Sequence, residues 1–485
     1  MKRMRWHDHV SVNLFWLGLN VRNTALGNVF MPYLIDAFVR PEIKNTALGA
    51  MRTAGLIIAL LVQPAAGLLS DRNTSRYGRR RPFIFVGVLL DLAFLVAVGL
   101  AASYWSLFAA VLLLQVSSNI SHGPLQGLIP DLVPEDQRGR ASGVKALFEL
   151  VPLVLIAFTI AKLVAAQQLG WAIAATCVGL LVTMILTVLL VHEEPLKEKP
   201  SGSMREPMLR VLGLLGGIAS GAAAGLLGGG AIGAVVGLLA WPLAGGDLAL
   251  MIGVGVGGVV AMVVSVVVGV WGGALATLGK DARTRGSFTW WVVNRLLFLA
   301  AATSIQGFAP YFLMSAFGVS RERAIDMNAG LMMVVGLFTL ITAVPSGWLA
   351  DRLGSRRLVY ASGLIATVGT LVLLITTFVP NLPLMYVAGT IIGIGAGLFM
   401  TTNWALGMEL APRQEAGRYL GISNLAGAGA GMIGAGIGGP VADLINRISP
   451  GTGYFAIFAG YAVLFLLSSL SLSKVRVAGA QQAGA

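Results

Sequence analysis

The chain has 485 residues, 56% of them hydrophobic and only 11% charged, with a mean hydropathy of +0.82. Soluble domains carry about a quarter charged residues, so this composition excludes one and reads as an all-α polytopic membrane protein. The net charge of +13 does not make it a nucleic-acid binder, because the basic residues separate by membrane side, and the lone Cys177 excludes an internal disulfide.

The first apolar run, about 10–38, follows a short basic head. Its length, its lack of a small-x-small cleavage site and its Asn13, Asn20, Arg22, Asn23 and Asn28 make it a retained first helix with a polar face rather than a signal peptide. Further spans at about 46–70, 82–101, 105–129, 141–166 and 170–191 complete an N-terminal six-helix bundle over 1–191. A polar stretch, 192–208, reads as a cytoplasmic linker. A second six-helix bundle over 288–473 has spans near 288–316, 326–350, 357–379, 383–408, 418–442 and 452–472, and 474–485 is a cytoplasmic tail.

The segment between, 209–287, is too long and too apolar for a linker. Gly217, Gly221, Gly225, Gly229, Gly233 and Gly237 recur every fourth residue, and Gly253, Gly257, Ala261, Ser265, Gly269 and Gly273 do the same. A small residue every four forms a flat ridge that lets helix backbones approach in lipid. The expectation is a glycine-zipper-like transmembrane hairpin turning at Trp241–Asp247, followed by a basic loop, which brings the total to about fourteen helices. The hairpin is either lipid-facing filler or a docking surface for a protein partner at 209–278.

With the spans marked, 24 of the 34 lysines and arginines fall on one side, five on the other and five inside spans. The positive-inside rule places both termini and the Arg-dense turns in the cytoplasm, in a cell (inner, cytoplasmic) membrane. The halves repeat at a constant offset. Asp131-Leu-Val-Pro134…Gly139-Arg140 returns 278 residues later as Glu409-Leu-Ala-Pro412…Gly417-Arg418, and Pro32-Tyr33 as Pro310-Tyr311. This pseudo-symmetry implies a duplicated bundle with its cavity between the halves.

Two turns carry the strongest signature. The run LVQPAAGLLSDRNTSRYGRRRPFI, from Leu61 to Ile84, places Asp71, Arg72, Arg79, Arg80 and Arg81 between two spans, and Gly347 to Arg357 repeats it with Asp351 and Arg352. These turns resemble the signature loop of the major facilitator superfamily, and the longer run resembles its sucrose-transporter and glycoside-pentoside-hexuronide symporter-like branch. The resemblance implies two six-helix domains rocking in alternating access, usually with proton- or sodium-coupled uptake of a sugar. It also implies a gating contact in which Asp71 holds the start of helix eleven near Arg418, and pseudo-symmetry gives a second in which Asp351 holds the start of helix five near Arg140. Gln115 and Gln126 stand where sucrose carriers have a coupling Asp and a sugar-binding Arg, and the paired second-helix acids of sodium-melibiose carriers are absent.

The polar residues inside the spans are the remaining candidates, since an intramembrane charge normally faces a partner or a wet cavity. Arg22 lies about 18 Å along its helix from Val10, at about 1.5 Å per residue. It reads either as cavity lining or as half of a buried ion pair, and so does Arg295 in the seventh helix. Asp91 is a partner for an arginine or a proton carrier. Glu149 is a second coupling candidate or the i, i+4 partner of Lys145, and His122 a third or a hydrogen-bonded lining residue. Asn20, Asn23, Asn119, His122, Gln126, Gln306 and Asn403 are candidates for bonding sugar hydroxyls or for satisfying one another between helices. Trp290 and Trp291 read as an interfacial belt.

The function expected is a secondary active transporter, a cation-coupled symporter of a sugar or glycoside. Its partners are a small-molecule substrate, a co-transported proton or sodium ion, and membrane lipid, with no nucleic acid. The alternatives are a carrier or exchanger of an anionic metabolite held by Arg22 and Arg295, and a non-transporting sensor or assembly factor. No P-loop, zinc-ligand spacing or nucleophile elbow occurs, so no enzyme, cofactor or metal is expected.

Overall fold

Long apolar runs punctuated by Gly, Pro and short charged turns fold into helices, because lipid offers the backbone no hydrogen bonds. The computed structural model describes residues 4–134, 137–193, 195–196, 205–279, 281–284, 286–410 and 416–476, and no strand occurs among them. The helices are α1 (Trp6–Ala25), α2 (Met31–Phe38), α3 (Lys44–Ser70), α4 (Arg81–Gly99), α5 (Tyr104–Leu132), α6 (Arg138–Phe158), α7 (Ile160–Ala165) and α8 (Leu169–Leu190). After the linker come α9 (Arg205–Ala244), α10 (Gly246–Leu278), the short α11 (Asp281–Thr284), α12 (Gly286–Phe317), α13 (Arg321–Leu353), α14 (Ser355–Ile375), α15 (Leu382–Leu410), α16 (Ala416–Ile448) and α17 (Thr452–Ser471).

Among the described residues twelve helices are long and apolar enough to cross a membrane, and both hairpin helices are among them. The first span is continuous from α1 to α2 but opens into a π turn at Leu26–Phe30. Pro32 lacks the N–H that a regular helix would donate to the carbonyl of Asn28, one turn back, and the wider turn absorbs that defect. The fifth span breaks at Thr159, outside the helical region at φ −118° and ψ −85°, so α7 is its separate last turn.

The chain divides into two compact units. The first comprises Met1–Val39, Ala54–Leu209 and Ser320–Gly336. Its core is built around α1, whose Val12, Phe15, Trp16 and Leu19 meet Ile84 and Val88 of α4, Leu125 and Leu128 of α5, and Leu180 and Met184 of α8. The second comprises Arg40–Thr53, Arg210–Val319 and Leu337–Ala485. Here α12 is the central helix, with Phe298 stacked on Phe399 at 3.7 Å and edge-on to Phe465 at 4.8 Å. In each unit the central helix is thus the first span of its repeat.

The hairpin lies in the second unit and turns more sharply than expected. Only Gly245 leaves the helical conformation, at φ +77°, which a side chain would strain. The two ridges meet backbone to backbone. A Cβ on Gly217 would overlap Gly273, one on Gly221 would overlap Gly269, and one on Gly229 would overlap Gly257 and Ala261. The α10 side packs on the unit, with Gly258 against Val441 and Val259 against Gly460, whereas Leu227, Leu238, Leu239 and Leu243 of α9 are exposed. Two cavities of about 200 and 590 Å³ flank the hairpin, walled by residues such as Leu214, Ile218, Ile433, Leu250, Val254 and Val441. Both are almost wholly apolar, so neither coincides with the polar candidates.

Candidate substrate and coupling site

In the first unit the structure closes Arg22 on Asp91. Arg22 Nη2 donates to Asp91 Oδ2 at 3.0 Å, and both side chains are fully buried. Ser117 Oγ donates to Asp91 Oδ1 at 2.5 Å, and Arg22 Nη1 donates to Asn23 Oδ1 at 2.8 Å. Gly87 is what brings α4 so near α5. One turn before Asp91, it lies where a Cβ would press on the backbone of Ser117 and Ser121. Each charge is satisfied by the other, so this pair holds α1, α4 and α5 together.

A second, more open group lies on α1, α5 and α6. Lys145 Nζ bonds Glu149 at 2.8 Å, with the two side chains 30% and 38% exposed, and also sits 4.2 Å from the centroid of the Trp16 ring. His122 meets Trp16 edge-on at 5.2 Å, and its Nε2 is 3.4 Å from Gln126 Nε2. Asn20 donates to the Trp16 carbonyl, and Asn119 donates to the Gln115 carbonyl at 2.7 Å. His122 and Lys145 thus meet the Trp16 ring and bring Gln126 and Glu149 near it, while Asn20 and Asn119 each turn back along their own helix. The sequence reading did not single out Trp16 or Ser117. Both stood at helical spacing within polar faces, which was the available signal.

In the second unit Arg295 Nη1 donates to Asn403 Oδ1 at 3.0 Å, and its guanidinium lies 5.4 Å from the Trp404 ring centroid. Asn403 Nδ2 donates to Asn294 Oδ1 at 2.8 Å, and Asn294 Nδ2 donates to the Ser468 carbonyl and hydroxyl. Trp291 is fully buried and donates its Nε1–H to the Asn403 carbonyl at 3.0 Å, which corrects the interfacial-belt reading. Its ring fits because Gly407 leaves the space that a Cβ would fill. Gln306 is half-buried one residue before Gly307, over which the Arg52 guanidinium lies.

The signature turn is held within the first unit. Arg80 pairs with Asp71 at 2.9 Å and with Asp131 at 2.5 Å, and Arg79 pairs with Asp131 at 2.5 Å. The Arg80 guanidinium lies across Gly127, where a Cβ would collide with it. Glu193, just after α8, accepts from the N–H groups of Arg80 and Arg81 and so satisfies the start of α4. Arg72 is half-buried and Arg140 exposed. In the second unit Glu409, 278 residues after Asp131, accepts from Ser355 Oγ at 2.7 Å at the start of α14. Arg352 stacks on Trp348 at 3.8 Å, and the side chains of Asp351 and Arg418 lie outside the described residues.

Two further groups lie at the opposite helix ends from these turns, and the sequence reading missed them. Within the first unit, Asp326 of α13 bonds Lys162 of α7 at 2.5 Å and Arg323 at 3.0 Å, and Arg321 lies 4.2 Å from the Tyr33 ring centroid. Within the second unit, Asp443 of α16 accepts from the Thr46 N–H and from Asn45 Nδ2, both at 2.7 Å. Acids at span ends read as loop residues until their partners are known.

These features define a polytopic helical membrane protein built from two repeated six-helix sets, each with a polar network around its first span. The family model of the Major Facilitator Superfamily matches residues 17–435, and the chain belongs to that family. The sucrose transport protein SUC4 of Arabidopsis thaliana is 31% identical over 216 residues, covering 37% of this chain and 42% of that protein. The general alpha-glucoside permease of Schizosaccharomyces pombe is 29% identical over 186 residues, or 33% of each. The chain therefore spans less than half the length of these relatives. A solved structure of the peptide transporter POT matches with a TM-score of 0.64 at 14% identity, covering 96% of this chain and 93% of that one, which establishes a shared fold. These proteins are transporters, not enzymes.

Proposed function

We propose that the protein is a secondary active transporter working by alternating access, a proton-coupled symporter of a sugar or glycoside in a cell membrane with both termini cytoplasmic. The observation that carries the sugar reading is the presence of neutral hydrogen-bonding groups that are only partly buried, Asn20, His122 and Gln126 on the helices that carry or touch Trp16, together with the partly buried Trp404 beside Arg295. Amides and indoles match the hydroxyls and apolar ring faces of a sugar. Relatives named for sucrose and alpha-glucoside transport support the same class. Alternating access is supported by the way the first turns of α3 belong to the second unit and those of α13 to the first, each held there by an acid, Asp443 and Asp326.

Of the coupling candidates Asp91, Glu149 and His122, the latter two have side chains only partly buried, while Asp91 is closed on Arg22. The anion-carrier reading is left with Arg295, because Arg22 is closed on Asp91. Uptake of radiolabelled disaccharides and α-glucosides into proteoliposomes, with and without an imposed pH gradient, tests the proposal. Accumulation above the outside concentration, abolished by a protonophore, is the expected result. Uptake confined to organic anions would replace it with the exchanger, and no uptake of either class would favour a non-transporting role.

A further inference from the structure

The contact between α3 and α16 has the build of a latch. A Cβ on Gly49 would overlap the Ala435 carbonyl, one on Gly439 would overlap the Asn45 carbonyl, and one on Gly436 would press on the Thr53 hydroxyl. The face Asn45, Gly49, Thr53 thus lies backbone to backbone on residues 435–439, a packing that small residues alone permit. One turn beyond Gly439, Asp443 ends this seam. The residue is 2% exposed, and its carboxylate accepts from the Thr46 N–H and the Asn45 amide. The Thr46 N–H is one of the unpaired donors of the first turn of α3, so Asp443 acts as a helix cap supplied by another helix. Asn45 is fixed in turn by the Tyr454 hydroxyl, to which its Nδ2 donates at 3.4 Å.

Among the described residues no cation forms an ion pair with Asp443. Lys44, on the same turn of α3, places its Nζ 4.8 Å from the ring centroid of Tyr311 of α12. Arg447, one turn further along α16, is exposed, as are Arg40 and Glu42 before α3 and Asp247 on the first turn of α10. Tyr454 and Tyr461 are the titratable groups of α17 on this face, Arg52 lies two turns further along α3, and Arg295 is the remaining charge of α12. Both groups bonded to Asp443 are donors. A proton on either oxygen would remove the carboxylate's charge and leave that oxygen a hydroxyl, a poorer acceptor, so the charge-assisted bond it receives would be weakened.

We infer that Asp443 is a proton-binding site that fastens the first turn of α3 to α16 when ionised and releases it when protonated. Given the symporter reading, on which this role in transport rests, it makes Asp443 a coupling residue outside the polar clusters around Trp16 and Arg295. Release by a proton taken from the outer solution would let the α3–α16 seam open on that side, and loss of the proton would allow it to close.

The test uses the full chain in lipid nanodiscs with Cys177→Ser, which removes the only native cysteine, and spin labels at Glu42→Cys and Arg447→Cys, both exposed. Between pH 8 and pH 5 the label separation is expected to shift to a longer population. With Asp443→Asn that longer population should dominate at both pH values, enriched roughly tenfold at pH 8, as expected for loss of one capping interaction. Asp443→Glu, which keeps the charge, should retain the pH response. Should Asp443→Asn fail to fold, Asn45→Ala serves instead. It should enlarge the longer population at pH 8 while leaving a pH response, and an unchanged distribution in that variant overturns the latch. The labels report without substrate, so the two readings fail separately. A pH shift that persists in Asp443→Asn overturns the inference and leaves symport standing. A shift abolished by Asp443→Asn in a protein that moves no sugar upholds the latch and overturns symport.

Discussion

Asp91 and Asp443 are both buried aspartates on membrane helices, yet their surroundings give them opposite parts. Asp91 faces a guanidinium at 3.0 Å and a serine hydroxyl, so its charge is matched by another that is equally buried. Asp443 is held by a backbone N–H and a neutral amide. Two charges buried together constrain each other, because removing either leaves the other uncompensated in a low dielectric. A carboxylate held only by neutral donors can change its protonation without stranding a counter-charge. Burial is common to both sites, and the identity of the partner decides between scaffold and switch.

The largest effect should come from breaking the matched pair. Arg22→Gln or Asp91→Asn is expected to cost about 3–5 kcal/mol of stability, since each strands a buried charge. Thermal melting in detergent should show it as a large loss of folded protein. The double variant should recover much of that loss, as removal of both charges leaves nothing unpaired. A double variant as unstable as the singles would mean that Arg22 and Asp91 act through other neighbours, and the contrast with Asp443 would fail.

The next effect should come from the seam that Asp443 ends. Gly439→Leu forces a side chain against the Asn45 carbonyl, where there is no room. Overpacking of this kind costs about 1–3 kcal/mol, and here the strain falls on the contact between α3 and α16. The expected outcome is an enlarged longer population in the spin-label measurement at pH 8 together with slowed uptake. A melting temperature lowered without any change in the label distances would place the glycine in general packing rather than in a latch.

Much of this organisation was legible before any coordinates. The 278-residue offset marked the repeated halves, and the four-residue glycine spacing marked the two ridges of the hairpin, because a period is a property of the chain itself; which glycines meet across it, Gly217 with Gly273 and Gly221 with Gly269, only the packing shows. Partners were another matter. Asp91 was open between an arginine and a proton, and only the approach of α1, α4 and α5, made close by Gly87, brings Arg22 to it. Asp131 was visible as one half of a repeat, but its pairing with Arg79 and Arg80 depends on how the signature turn folds over Gly127. Asp443 carried no local signal. Its meaning comes from Asn45 and Thr46, almost 400 residues away in sequence, and no spacing rule reaches that far. Trp291 misled for a related reason: proximity to a helix end suggests an interface, whereas α12 is the central helix of its unit.

The smallest effect on stability is expected at Lys145 and Glu149, where it separates coupling from scaffolding most sharply. Their pair is an i, i+4 contact with both side chains about a third exposed. Water screens it, so Glu149→Gln should cost only about 0.3–0.5 kcal/mol, within the range of exposed helix pairs. A structural role would therefore leave transport almost untouched. If Glu149 carries the proton, the same variant should abolish accumulation driven by a pH gradient while sugar exchange across the membrane without a gradient continues. His122→Gln supplies the control, since it keeps a hydrogen-bonding group beside Gln126 and Trp16 but removes the titrating ring. Loss of driven uptake in Glu149→Gln with retention in His122→Gln would assign the inner proton site to the carboxylate. The reverse pattern would assign it to the imidazole. Retention in both would leave Asp443 as the protonation site on which coupling depends.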